Sequence, residues 1–175
     1  MAVDAIELTK QLVRMNTINP PGKEEQCARH LGALLEKSGF KIKYHELSPQ
    51  RASLVATIGG RADKAPLCFT GHIDTVPLGA AQWRMDPFAS DTQDGKLYGR
   101  GTSDMKGGVA AFVVASLNLA GKLARSPGLE LVITAGEETG CEGAFHLTKK
   151  SGALGRAGAV VVGEPVRESA RGPGA

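Results

Sequence analysis

Three short apolar runs in this sequence each finish in a glycine followed by a side chain able to hold a metal ion: Gly71-His72, Gly136-Glu137-Glu138 and Gly163-Glu164. A further carboxylate, Asp104, lies in the glycine-flanked loop Gly99-Arg100-Gly101-Thr102-Ser103-Asp104-Met105-Lys106-Gly107-Gly108. One imidazole among several carboxylates suits zinc, with cobalt or manganese as substitutes, better than a structural thiolate site does. Gathered without cations, these acids repel one another and their pKa values rise; divalent ions turn the same cluster into an attractive site. In an extended segment His72 and Asp74 point to the same side, so Asp74 is placed to accept the imidazole N–H and fix the ring. Glu137 and Glu138 are adjacent and point apart, which suits one to metal and the other to a proton.

Each of these residues also has a plainer role. Asp104 can cap the helix that follows it, a lone histidine can be structural, Glu-Glu can be a solvated pair, and Glu-Pro can open a turn. Their common position after apolar strands is what favours chemistry. Phosphate-loop readings fail on the residues themselves: Lys106 is followed by Gly107 where a Walker loop needs Ser or Thr, and Asp104 stands where a dinucleotide fingerprint wants its third glycine.

The elements that must position these groups follow from periodicity. Residues 3–15 place Ile6, Leu8, Leu12 and Val13 at helical spacing before the turn Asn16-Thr17-Ile18-Asn19-Pro20-Pro21-Gly22, and a second helix is expected over 23–38 with Gly39 as terminator. Strands are expected over 40–47, 52–58, 67–69, 129–134 and 159–162, and residues 75–94, rich in proline and carrying Trp83, read as a surface loop. Residues 108–119 are apolar nearly all round, which predicts a deeply buried helix, and 143–150 a short one. Open α/β sheets bind ligands beyond the carboxyl ends of their strands, so parallel neighbours would bring His72, the glutamate pair and Glu164 to one edge, where the Asp104 loop also arrives.

Composition narrows the function classes. The chain has 175 residues and a formal charge of +3 with scattered basic residues, so a globular domain is expected and a nucleic-acid partner is not. No apolar run reaches membrane-spanning length and residues 1–4 lack a secretion-signal pattern, which predicts a cytoplasmic protein with no membrane partner. Three cysteines without close pairing fit a reducing compartment; Cys27 and Cys68 read as buried small hydrophobes.

Thr70-Gly71-His72-Ile73-Asp74, the Asp104 loop, Gly136-Glu137-Glu138-Thr139-Gly140 and Gly163-Glu164-Pro165, in this order, resemble the signature of the family of acetylornithine deacetylase, succinyl-diaminopimelate desuccinylase, aminoacylase and glutamate carboxypeptidase. Asn19-Pro20-Pro21-Gly22 is similar to a loop of its deacetylase and desuccinylase branch. The resemblance implies an α/β fold, a three-layer αβα sandwich with a mostly parallel central sheet, and a co-catalytic zinc hydrolase that cleaves the amide bond of N-acyl amino acids or short peptides. It implies that Asp104 bridges two metals, that His72 and Glu164 complete one ion's ligands, that Glu138 binds the other ion and that Glu137 is the general base. It also implies a non-proline cis peptide at Asp104-Met105.

Members of that family continue past the Gly-Glu-Pro motif into a lid or dimerisation domain, through which they often form homodimers, and return with a last histidine ligand. On this resemblance residues 1–165 are the N-terminal part of the catalytic domain and 166–175 a divergent tail, with the rest absent. His30, His45 and His146 fall in scaffold segments, so one firmer and one weaker metal site are expected, and part of the sheet and of the helix from Val109 is expected to be uncovered. The alternatives are an inactive metal-binding fragment, or partner of a full-length relative, and a carboxypeptidase that releases glutamate.

Overall fold

Asp4 starts the chain's first helix by accepting the backbone N–H groups of Ile6 (2.6 Å) and Glu7 (3.2 Å), two donors that a helix start leaves without partners. In the computed structural model, which describes residues 3–61 and 63–165, this helix is α1 (Ala5–Arg14), and α2 (Glu25–Lys37) follows after the proline turn. Their apolar stripes, Leu8, Leu12 and Val13 on one and Cys27, Leu31 and Leu35 on the other, are buried. The hairpin β1 (Lys41–Ser48) and β2 (Arg51–Ile58) leads to β3 (Leu67–His72). The long loop beyond it contains a small hairpin, β4 (Thr92–Gln93) and β5 (Lys96–Leu97), too short to leave a periodic signal. Then come α3 (Gly107–Leu119), β6 (Leu129–Thr134), α4 (Glu142–Lys149) and β7 (Ala159–Val162). The tail 166–175 lies outside the described residues.

The main sheet has the order β1-β2-β6-β3-β7. β2 runs antiparallel to both β1 and β6, whereas β6, β3 and β7 are mutually parallel, so all three site-bearing strands end at the same edge. The sheet's two faces are covered unequally. Leu54, Ala56, Leu129, Leu131 and Ile133 join one continuous core with α1, α2 and α3, while Val55, Cys68 and Val132 on the opposite face form a smaller cluster with Leu147 of α4, Ala153 and the partly buried Ala157.

The deep burial expected of α3 needs correction, and the uncovered part of the sheet is β7. α3 buries only the stripe Val109, Ala110, Phe112, Val113 and Ser116, and Leu119 at its outer end is 44% exposed. In β7, Val160, Val161 and Val162 are 58%, 44% and 57% exposed, because the strand pairs with β3 alone and carries no described neighbour on its other side. An apolar run marks what is able to be buried; what covers it depends on the rest of the fold.

The Asp104 loop is fixed from both ends. Lys106 is fully buried and its Nζ donates to the carbonyls of Leu12 (2.9 Å), which also accepts the Met15 N–H, and Met15 (2.8 Å), both at the negative end of α1. The Asp104-Met105 peptide is cis, and Met105 is buried with its Sδ 3.2 Å from the backbone nitrogen of His72. At the start of α3, Gly108 lies so close to the carbonyl of Gly163 that an added Cβ would collide with that oxygen. Gly108 is therefore the point at which the Asp104 loop and the Glu164 segment touch. Gly108→Ala is expected to destabilise the chain by about 1–3 kcal/mol through overpacking. Gly121→Ala, at a glycine with open space around it, should stay within about 0.5 kcal/mol of wild type; urea unfolding of both variants checks the contrast.

Candidate functional site

The parallel register of β3 and β6 sets Gly71 beside Ile133 and His72 beside Thr134, so the polar residues that follow each strand emerge side by side. His72 is buried, and its Nε2 faces three carboxylates: Asp104 Oδ1 at 3.2 Å, Glu164 Oε1 at 3.3 Å and Glu137 Oε2 at 3.7 Å. Among the described residues two sets of three converge closely enough to share an ion, His72 with Glu137 and Glu164, and His72 with Asp104 and Glu138. Glu137 and Glu138 thus contribute to different sets, and all five side chains meet at the edge where the parallel strands end. His30 on α2, His45 on β1 and His146 on α4 belong to neither set.

Asp74 is the fixed point beneath this cluster. It is fully buried, and its carboxylate accepts the backbone N–H groups of Glu137 (3.0 Å) and Glu138 (3.1 Å) and the side-chain amide of Asn19 (3.0 Å). Its relation to His72 is more layered than alternation along a strand suggests. The imidazole Nδ1 lies 3.0 Å from the Asp74 carbonyl oxygen and 3.4 Å from the carboxylate, so both the main chain and the side chain of this residue hold the ring. With a proton on Nδ1, Nε2 presents its lone pair to the cluster, the tautomer a metal needs. The turn after β6 starts at Gly136, whose φ of +69° a side chain would resist, and this lets the next two N–H groups point back at Asp74.

The electrostatics follow from that packing. Burial opposes charge on Asp74, but hydrogen bonds from His72, Asn19 and the two glutamate N–H groups outweigh it and hold the carboxyl at about 2. Burial likewise opposes charge on His72, yet the bonded Asp74 and the charges of Glu164 and Glu137 raise the ring to about 9. Glu138 and Glu164 are pushed up by burial and by neighbouring carboxylates, with His72 pulling the other way. Among the described residues Glu138 Oε1 is buried without a hydrogen-bond partner. A buried carboxylate oxygen with nothing to donate to it, among groups that repel, has the donor chemistry a divalent cation satisfies.

Sequence reasoning missed the polar residues under the turn. Arg51 joins Glu24 (3.2 Å), at the start of α2, to Glu142 (2.9 Å), at the start of α4. Thr139 Oγ1 accepts from Asn19 (2.8 Å) and donates to Glu142 (3.1 Å). Only Asn19 carried a signal, through the Asn-Pro-Pro-Gly loop.

Residues 68–174 match peptidase family M20/M25/M40. The succinyl-diaminopimelate desuccinylase of Wolbachia pipientis subsp. Culex pipiens is 41% identical over 142 residues, covering 79% of this chain and 34% of that protein. The chain therefore spans about a third of the length of this curated relative. Among solved structures, an M20 metallo-carboxypeptidase, Sso-CP2 of Sulfolobus solfataricus, shares the fold with a TM-score of 0.76 at 22% identity, covering 91% of this chain and 37% of that one. The Bacillus subtilis YXEP protein, described as a dinuclear metal-binding peptidase, aligns with a TM-score of 0.63 at 20% identity over 90% of this chain and 41% of its own.

The Asp74 carboxyl titrates near 3.8 ordinarily and at about 2 when folded, so its contribution to stability is full above the first value and is lost as the pH falls through the second. Asp74→Asn should cost the metal-free chain about 2 kcal/mol near neutral pH. The gap to wild type should close as the pH falls below about 4, which urea unfolding at a series of pH values measures.

Proposed function

The chain belongs to peptidase family M20/M25/M40, and we propose that it is a metal-dependent hydrolase of the amide bond in N-acyl amino acids, N-succinyl substrates foremost. The observation that carries this reading is the convergence of His72, Asp104, Glu137, Glu138 and Glu164 at the carboxyl ends of parallel strands, with one carboxylate oxygen of Glu138 buried and unpartnered. In this reading, which takes its assignment from the family resemblance and regroups the two convergent sets, His72, Asp104 and Glu164 would hold one divalent ion and Asp104 and Glu138 a second, with zinc as the metal and cobalt or manganese as substitutes. Such ions supply Lewis-acid polarisation of the amide carbonyl and activation of water at neutral pH. Glu137 takes the proton from the attacking water and returns it to the departing amine, a task for a carboxylate beside the ligands and partly open to solvent. Asp74 holds His72 and both glutamate N–H groups in place while this happens. The three cysteines, none of them in a disulfide, support a cytoplasmic location, and among the described residues no helix is long and apolar enough to cross a membrane.

A second reading, a metal-holding chain without turnover, has one observation in its favour: His72 is the sole histidine in the two ligand sets among the described residues. The experiment that separates the two loads the purified chain with zinc or cobalt, counts bound metal by elemental analysis, and assays N-succinyl and N-acetyl amino acids. Hydrolysis abolished by a chelator supports the first reading, uptake without hydrolysis the second, and no stoichiometric uptake overturns both. Glu137→Gln should leave metal uptake intact and lower kcat by about 10²–10⁴-fold. Substantial residual hydrolysis in that variant would remove Glu137 from the role of base.

A further inference from the structure

We propose that Asn19 is a positioning residue for the site, its side-chain amide clamping Asp74 to Thr139 so that the turn carrying Glu137 and Glu138 keeps one conformation. The inference rests on the metal-site reading above, since it assigns Asn19 a task only if those glutamates have one.

Asn19 is 3% exposed and its place is set by its own main chain, whose N–H donates to the Thr75 carbonyl at 2.9 Å, next to Asp74. Both amide hydrogens are used, one on Asp74 Oδ2 at 3.0 Å and one on Thr139 Oγ1 at 2.8 Å. The orientation of the amide follows from chemistry: an ionised carboxylate only accepts, so the NH₂ group must face it. The Thr139 hydroxyl, having accepted from Asn19, passes its own hydrogen to Glu142 Oε2 at 3.1 Å, and Arg51 Nη1 meets that same oxygen at 2.9 Å. Arg51 also bonds Glu24, which is fully buried. The network therefore runs from the proline loop through the turn to the starts of α2 and α4.

The clamp bears on the glutamates directly. Asp74 Oδ2 receives the Asn19 amide and the Glu138 N–H together, and Thr139 is the next residue along. With Asn19 in place the turn is held on its Glu138 side by the carboxylate and on its Thr139 side by the amide. Without it, the Thr139 side chain keeps only its exposed bond to Glu142, and the turn is left to its own backbone bonds, Gly140 and Cys141 N–H to the Glu137 carbonyl and Glu142 N–H to that of Gly136. The aim of Glu138, whose Oε1 has no hydrogen-bond partner among the described residues, then depends on a turn with one support fewer.

The test uses the full chain, hydrogen exchange and cobalt. In the metal-free chain, amide exchange across residues 136–140 should quicken about tenfold in Asn19→Ala while the strands of the sheet keep their protection. In the cobalt-loaded chain, Asn19→Ala should weaken cobalt binding by about tenfold and alter its visible absorption, as loss of a supporting hydrogen bond to a ligand shell does. Asn19→Asp, which sets a second carboxylate against Asp74, should weaken it further. Thr139→Val removes the other end of the clamp at an exposed position and should reproduce the faster exchange, which keeps the test decisive if the Asn19 variants do not fold. Wild-type exchange across 136–140 in Thr139→Val and in folded Asn19→Ala would overturn the clamp. A wild-type chain that binds no cobalt would instead overturn the metal-site reading, and with it the task assigned to Asn19, even where the exchange result stands.

Discussion

A single buried carboxylate organises the centre of this protein. Asp74 lies two residues beyond the end of β3 and reaches two residues of the neighbouring turn through their backbone N–H groups, a third residue through an amide, and His72 through both its carbonyl and its side chain. A carboxylate removed from water survives as an anion only when such donors surround it, and here the donors are the backbone of the very segment that must be held. The requirement to satisfy Asp74 and the requirement to aim Glu137 and Glu138 are thus met by the same bonds.

Around that point the structure brings like charges together and separates their supports. His72, Asp104, Glu137, Glu138 and Glu164 arrive from four stretches of chain, each anchored elsewhere: the Asp104 loop by buried Lys106 at the end of α1, the Glu164 segment by close contact with Gly108, and the glutamate turn by Asp74. Repulsion within the cluster is spread over several elements of one core, so the sheet and α1–α3 bear it together. In the metal-free state the His72 imidazolium is the one opposing charge among the described residues in contact with Asp104, Glu137 and Glu164.

Much of this was legible in the sequence because it is local. Leu8, Leu12 and Val13 announce a helix by spacing alone, and the apolar runs ending at His72, Thr134 and Val162 announce strands whose next residues share an edge. The parallel pairing of β6, β3 and β7 then brings the candidate ligands together without any further signal. What stayed hidden depends on distant partners. Nothing near Arg51 indicates that it joins Glu24 to Glu142, and nothing near Thr139 indicates that Asn19 will reach it, since these pairs meet only after the sheet has formed. That part of the sheet and of the helix from Val109 would be uncovered could be expected, but not that the exposure falls on Leu119 and on Val160 to Val162, because apolar character is a property of the residues while covering is a property of the assembly.

The place of β7 in the chain bears on the order in which the centre comes into being. Glu164 can meet His72 only after β7 has registered against β3, and β7 is the last strand in sequence among the described residues. During synthesis from the amino end, β1, β2, β3 and β6 can already pair while the final carboxylate is still emerging. A nascent polypeptide would therefore carry His72, Asp104 and the glutamate turn before the last carboxylate of the cluster locks in, and the long sequence span from His72 to Glu164 makes that closing event slow relative to the local helices.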